Sequence, residues 1–267
     1  MKYSIITVNY NDCEGLCRTL KSVASQTFHD FELIVIDGGS SDGSVSVINN
    51  YSYCIAYWVS EKDRGIYHAM NKGIMQAHGD YCIFMNSGDS FFDNNVLERA
   101  SKELVDVDIL VGRVDVGEHR EMISPFPNRN ISLYYLCYES IPHQGSFIRT
   151  DMLKHYLYDE SLKIVADWKF FLQTIVFDNC SIRFVDLMVA HYDLGGISSR
   201  NIDELLAEKK LVLDSMFPSR VLEDCIFMKE SECLTRTLSS QLKGHYTVDR
   251  VLFFIGKLLL KFVPRNV

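Results

Sequence analysis

The sequence predicts an α/β fold: a mostly parallel central sheet with helices on both faces, followed by a helical C-terminal extension. Three observations predict it. Four strand–helix alternations fill about the first 100 residues, the rhythm of a doubly wound sheet. The strands are apolar runs, as in Ser4-Ile5-Ile6-Thr7-Val8 and Tyr81-Cys82-Ile83-Phe84-Met85, the signature of strands covered on both faces. Two of them end in short acidic turns, at Asp37 and at Asn86-Ser87-Gly88-Asp89, and the carboxyl ends of parallel strands are where open α/β sheets bind ligands.

Taken in order, Ser4 to Val8 reads as a buried strand and the segment from about Asp12 to Ser25 as a helix. Phe31 to Ile36 is a second strand, and the loop Asp37 to Ser44 offers its serines and Asp42 as N-caps for a short helix. A third strand lies near Ile55 to Ser60. The next helix, about Gly65 to Ala77, carries Ile66, Met70, Gly73, Ile74 and Ala77 on one face. Tyr81 to Met85 is the fourth strand.

Beyond it the rhythm loosens. A helix near Asn95 to Leu104, a strand at Ile109 to Val111 and a loop at Pro125 to Asn130 precede a strand from Gly145 to Ile148. Asp167 to Phe177 shows helical spacing through Trp168, Phe171, Leu172 and Ile175. Arg183 to Val185 and Leu187 to Val189 are extended. From Asn201 glycine nearly vanishes and the pattern is helical, so a domain boundary is expected near residue 200, dividing 1–200 from 201–267.

The bulk numbers narrow the function. A chain of 267 residues, 47% hydrophobic and 23% charged, is long enough for one large core with an appendage or for two small domains. A formal net charge of -8 argues against nucleic acid as a partner, which calls for a basic field. The eight cysteines form no CxxC pair and often lie in apolar runs, as expected of buried thiols in a reducing cytoplasm. The opening Lys2 to Val8 is too short and strand-like for a signal peptide, and no run approaches ~20 apolar residues.

Carboxylates at strand ends bind a nucleotide base, a ribose or a hard cation; Asp37 equally suits the start of a turn. The loop behind it is not a Walker phosphate loop, since Ser44 stands where lysine is required, and it lacks the GxGxxG pattern.

An ordered series of motifs adds to this reading. Ser4-Ile5-Ile6-Thr7-Val8-Asn9-Tyr10-Asn11, Ser22-Val23-Ala24-Ser25-Gln26-Thr27 and Glu32 through Gly43 come first. Ser60-Glu61-Lys62-Asp63-Arg64-Gly65-Ile66-Tyr67, Ala69-Met70-Asn71-Lys72-Gly73 and Asn86-Ser87-Gly88-Asp89 follow. Later echoes are His143-Gln144, Ala166-Asp167-Trp168 and Gly195-Gly196-Ile197-Ser198. Over about residues 1 to 200 the chain resembles family 2 glycosyltransferases of the GT-A (Rossmann-like) fold, of the bacterial surface-polysaccharide type.

The resemblance implies roles. Asp37 is similar to the base-contacting aspartate, with Thr7 and Asn9 lining the same nucleotide pocket and Asp63, Arg64 and Asn86 on the donor side. Asp89 matches the last acid of a DXD-type motif that holds Mn²⁺ or Mg²⁺ against the donor diphosphate, and His191 is a candidate to complete that site. Asp167 resembles the general base; on sequence alone an N-cap role is the alternative. His143, Gln144 and Trp168 fall on the acceptor or phosphate side, with a simple turn the alternative for His143 and the core for Trp168. Gly195 and Gly196 suit a loop near the donor. The chain departs from the family at Asn86, Gly88, Ala166 and His68, each where acids are frequent.

The implied enzyme is a metal-dependent, inverting hexosyltransferase of polysaccharide biosynthesis. It takes a nucleotide-sugar donor, UDP-sugar favoured by Asp37, and a glycan or polyprenyl-linked acceptor. The alternatives are a sugar-phosphate nucleotidyltransferase, whose Gly-rich basic N-terminal loop has no counterpart at Asn9 to Gly15, and a catalytically silent nucleotide-sugar-binding partner. In the tail, 248–263, Arg250, Lys257 and Lys261 share one helical face in an otherwise apolar run. That pattern fits a helix at a membrane interface and equally a helix packed on protein. The expected location is the cytoplasm, peripheral to its membrane in the first case; the oligomeric state is left open.

Overall fold

A computed structural model describes residues 1–116, 121–122, 131–193 and 201–242 of the chain. The expected loop at 125–130, the glycine-bearing segment at 195–198 and the basic apolar tail at 248–263 lie outside the described residues.

The parallel half of the sheet is built from β1 (Tyr3–Asn9), β2 (Phe31–Asp37), β3 (Tyr57–Ser60) and β4 (Tyr81–Phe84). β1 is central and buried throughout its length, pairing parallel with β2 and β4, while β3 adds parallel to β2. This explains the unbroken apolar runs: neither face meets water. On one face Tyr3 and Ile5 pack with Leu16, Leu20 and Val23 of α1 (Cys13–Ala24) and with Val96, Leu97 and Ala100 of α4 (Val96–Glu103). The short α2 (Ser44–Asn50) starts after Gly43, and Asp42 accepts from Ser44 N one residue earlier than a helix cap would. On the other face α3 (Ile66–Gln76) approaches so closely that a Cβ at Gly73 would stand 2.4 Å from Ile6 Cγ2. Only glycine fits there.

The remaining strands are β5 (Ser90–Phe91), β6 (Ile109–Asp115), β7 (Glu121–Met122), β8 (Ser146–Arg149) and β9 (Ile182–His191). The sheet order is β3-β2-β1-β4-β8-β6-β9-β5, with β7 beside β6. β8 runs antiparallel to β4 and β6, β5 antiparallel to β9, and β9 parallel to β6. The sheet is therefore parallel in its first half and mixed in its second. The two extended segments expected at 183–185 and 187–189 are one strand, β9.

Helices α5 (Leu133–Tyr138), α6 (Thr150–Tyr156) and α7 (Ala166–Leu172) flank this half, α7 continuing as a π-helical turn, Gln173–Phe177. Two more helices follow, Ile202–Met216 and Ser219–Leu242. The chain divides into compact units at Ser215/Met216, so the helix Ile202–Met216 lies almost wholly with the first. Among the described residues no disulfide forms and no helix is long and apolar enough to cross a membrane.

Candidate active site

Strand register puts the first group of polar residues at one level of the sheet rim. Asn9 is the partner of Asp37, and Asp37 the partner of Ser60. The Asp37 carboxylate is fully buried. Its Oδ1 accepts from Asn9 Nδ2 (2.7 Å) and Ser40 Oγ (2.6 Å), its Oδ2 from Ser40 N (2.9 Å) and Ser60 Oγ (2.5 Å). Burial alone would raise its pKa, but these donors from Ser40, Ser60 and Asn9 outweigh it and hold the group below the ordinary carboxylate range. Asp37 thereby fixes the loop behind β2, and all four of its bonds go to the chain itself.

Around this loop lie groups with bonding capacity left over. Thr7 Oγ1 is buried without a partner. Asp63 Oδ1 is held by His68 Nδ1 (2.8 Å) and Lys72 Nζ (2.6 Å), whereas its buried Oδ2, which faces Gly38, has no partner. The ring of Tyr10, 68% exposed, stands beside Gly38 as a lip. Arg64 turns outward to Glu160 (2.5 Å) and is largely exposed.

The second group is the turn that follows β4. Met85 N and Ser87 N still bond to Ile6 O and Val8 O, so the turn runs alongside the end of β1. Thr19 Oγ1 of α1 accepts from Gly88 N (3.1 Å) and donates to Asp89 O (2.6 Å). Ser87 Oγ donates to Asn9 Oδ1 (2.6 Å), joining the turn to the Asp37 network. Asn86 Oδ1 is buried and unpartnered.

Asp89 is buried, and burial pushes its carboxyl up to about 7, against the opposing pull of Asp193 N, His143 and Gln144. Asp193 N donates to Asp89 Oδ1 (2.9 Å). The Asp193 carboxylate, paired with Arg18 Nη2 (3.1 Å), fills the space over Gly88: a Cβ there would stand 2.9 Å from Asp193 Oδ2. An acid from two residues past β9 thus stands beside position 88. Asp89, Asp193 and the free oxygen of Asn86 are all hard oxygen donors, which fit Mg²⁺ or Mn²⁺. Among the described residues no cluster of three His, Cys, Asp or Glu side chains could hold a metal alone. His191 faces elsewhere, with Nδ1 2.6 Å from Asp115 Oδ2 and its ring 4.8 Å from that of Phe92.

The third group surrounds Asp167. It is the second residue of α7, whose N-cap is Val165, so Asp167 is not the cap. Its Oδ1 accepts from Tyr67 OH (3.1 Å) and its Oδ2 lies 2.7 Å from His143 Nδ1. Burial works to raise the Asp167 pKa, but His143 and Tyr67 bring it below its ordinary value; burial works to lower that of His143, but Asp167 brings it above. His143 Nε2 in turn lies 3.4 Å from Asn86 Nδ2. His143 therefore bridges the Asn86–Asp89 turn and Asp167, and Gln144 beside it bonds to Asp89. Trp168 is core: it is buried, with Nε1 donating to Leu136 O (2.8 Å).

Sequence reasoning did not single out Asp193 or Tyr67. The only signal for Asp193 is an acid just past the apolar strand that ends at His191; Tyr67 sits on the buried face of α3 and reads as core.

Residues 4–157 match the model of glycosyl transferase family 2. An uncharacterized glycosyltransferase of Mycobacterium tuberculosis is 35% identical over 210 residues, 73% of this chain and 76% of that protein. Among solved structures, S. aureus TarS 1-349 in complex with UDP-GlcNAc aligns with a TM-score of 0.62 at 21% identity, over 72% of this chain and 58% of that one. The mannosyltransferase PcManGT of Pyrobaculum calidifontis, in complex with GDP-Man and Mn²⁺, aligns with a TM-score of 0.56 at 18% identity, over 72% and 57%. The chain spans less than two thirds of either solved protein, and these likenesses show the GT-A fold.

Proposed function

Because this chain belongs to glycosyl transferase family 2, we propose that it moves a hexosyl group from a nucleoside-diphosphate donor to an acceptor hydroxyl, with inversion and with a divalent cation at Asp89. The observation that carries donor binding is that three of the four buried side-chain oxygens without partners among the described residues are Thr7 Oγ1, Asp63 Oδ2 and Asn86 Oδ1, the fourth being Tyr158 OH. Each desolvated, unbonded polar atom costs about 1–3 kcal/mol, and all three belong to residues implicated in donor binding. A polar ligand at this rim removes those costs. Asp37 has no bonding capacity to offer, so in this reading it shapes the pocket, and the Asp63 oxygen meets base or ribose. UDP-sugar is the favoured donor.

Mn²⁺ or Mg²⁺, when bound, neutralises charge on the departing diphosphate; Asp89 with Asp193 and Asn86 would hold it. Asp167 takes the proton of the acceptor hydroxyl as it attacks. Tyr67 and His143 fix the two oxygens of Asp167, which keeps it ionised and oriented. Inversion follows from a single base acting opposite the leaving group. The acceptor is a glycan or polyprenyl-linked sugar, and the setting is polysaccharide assembly in the cytoplasm. The basic, apolar sequence at 248–263 supports contact with a membrane surface.

A thermal-shift panel of nucleotide sugars with and without Mn²⁺ tests this, since a bound donor stabilises the fold by mass action. A UDP-sugar is expected to raise Tm with Mn²⁺ and to lose most of that effect in EDTA. Equal shifts in both would overturn the metal assignment, and no shift with any nucleotide sugar would overturn the function.

A further inference from the structure

The segment leading into Asp167 lacks a local means of holding its backbone. Lys163-Ile164-Val165 contains two β-branched residues, poor helix formers, and Val165, the N-cap of α7, makes no side-chain cap bond. The three successive amides find one acceptor group 43 to 45 residues away. Glu208 Oε1 accepts from Lys163 N (2.7 Å), and Oε2 accepts from Ile164 N (2.9 Å) and Val165 N (3.3 Å). Ile164 and Val165 are buried, and Glu208 is the acceptor their amides find.

The same helix, Ile202–Met216, grips the segment twice more. Glu204, one turn earlier on the same face, pairs with Lys163 Nζ (2.8 Å). Lys209 Nζ donates to Ser140 Oγ (2.9 Å) and lies 5.0 Å from the centre of the Trp168 ring, the residue after Asp167. The carboxylate of Asp167 is thus held by Tyr67 and His143 on one side, and its backbone by this helix on the other.

We propose that Glu208 is a positioning residue for Asp167, which makes the helix Ile202–Met216 part of the catalytic apparatus. The assignment rests on Asp167 being the base. Hydrogen bonds to an ionised acceptor are among the stronger ones in proteins, and a base displaced by an ångström loses much of its effect. Glu208 touches no reacting atom in this scheme; it acts through the Lys163–Val165 backbone.

The test compares the full-length chain with Glu208→Gln, Glu208→Ala and Lys210→Ala. It combines hydrogen exchange by mass spectrometry, UDP affinity by calorimetry, and turnover of the nucleotide sugar giving the largest thermal shift. Glu208→Ala is expected to speed exchange of the 163–165 amides about tenfold. It should lower kcat by a similar factor while leaving donor KM and UDP affinity unchanged. Glu208→Gln keeps one acceptor oxygen and is expected to recover part of both effects, which also guards against a poorly folding alanine variant. Lys210→Ala removes only an exposed ion pair, with Asp214 on the same helix, and is expected to match wild type. Unchanged exchange in Glu208→Ala overturns the proposal, and so does faster exchange with unchanged kcat. Failure of the wild type to bind any nucleotide sugar would instead overturn the transferase reading, and the exchange rates would still decide whether Glu208 holds the segment.

Discussion

In the parallel half of the sheet the principal carboxylate, Asp37, is enclosed and carries four donors from its own chain. In the turn between β4 and β5, where the mixed half begins, Asp89 is also buried, yet Asp193 N is the one hydrogen bond to it from the backbone, with Gln144 the side-chain donor, and its carboxyl is pushed up to about 7. Two buried aspartates on one rim thus have opposite electrostatics. Asp37 is stabilised as an anion by Asn9 and Ser60, which strand register delivers to it, and by Ser40 of the loop behind β2. Asp89 is an anion short of compensation, next to a second acid. The first organises a binding surface; the second calls for positive charge, from a proton or from a cation. Burial by itself did not decide which role each took. The number of donors the neighbouring strands could supply did.

Four substitutions break or sharpen this contrast. The largest effect is expected in the mixed half: Asp167→Asn should reduce turnover about a thousandfold while a calorimetric titration with UDP returns the wild-type affinity. Undiminished turnover would remove Asp167 as base. Next, Asp37→Ala strands Asn9, Ser40 and Ser60 in a dry site, and urea unfolding should register a loss on the order of 3 kcal/mol. A loss near zero would mean that water reaches the loop and that Asp37 is not its organiser.

The third substitution uses pH. A carboxyl titrating near 7 in the folded chain and near 4 when unfolded keeps a proton in the native state that the unfolded state has lost. Its stabilising contribution is full below about pH 4 and is lost as pH rises through about 7. Asp89→Asn does not titrate. In EDTA its Tm should match wild type below about pH 4 and exceed it increasingly above that, by a few degrees at pH 8, with the Mn²⁺-dependent donor shift abolished. A lower Tm than wild type at pH 8 would reverse the electrostatic assignment. The smallest effect is expected from Gly88→Ala, at φ 96° and 2.9 Å from Asp193 Oδ2. A loss of about 1–2 kcal/mol should come with weaker Mn²⁺ dependence as Asp193 is displaced; an unaltered metal response would separate Asp193 from the site.

The contrast also explains what the sequence could reveal. The strand ends bearing Asp37 and Asp89 are legible because parallel, fully buried strands write themselves as unbroken apolar runs followed by polar turns. Asn9 and Ser60 reach Asp37 through register alone, so the first half of the site follows from local pattern. The second half does not. Asp193 meets Gly88 because β5 pairs with β9, a neighbour relation that no local pattern encodes. Tyr67 is indistinguishable by periodicity from a core residue of α3 until α7 presents Asp167 to it. Trp168, adjacent to the catalytic candidate in sequence, points its indole nitrogen into the core at Leu136 O. Glu208 lies beyond the boundary expected near residue 200, in a stretch whose helical pattern gives no sign of what it holds.

The placement of β5 has a consequence for the order in which the molecule comes together. This two-residue strand follows Asp89 directly, pairs with β9 alone, and forms the outer end of the sheet. The four bonds to Asp37 draw only on residues up to Ser60, so all of its partners are present early in synthesis. The acidic turn is different: its strand partner and its second carboxylate both arrive about a hundred residues later. A nascent chain therefore carries every partner of Asp37 long before it carries those of Asp89.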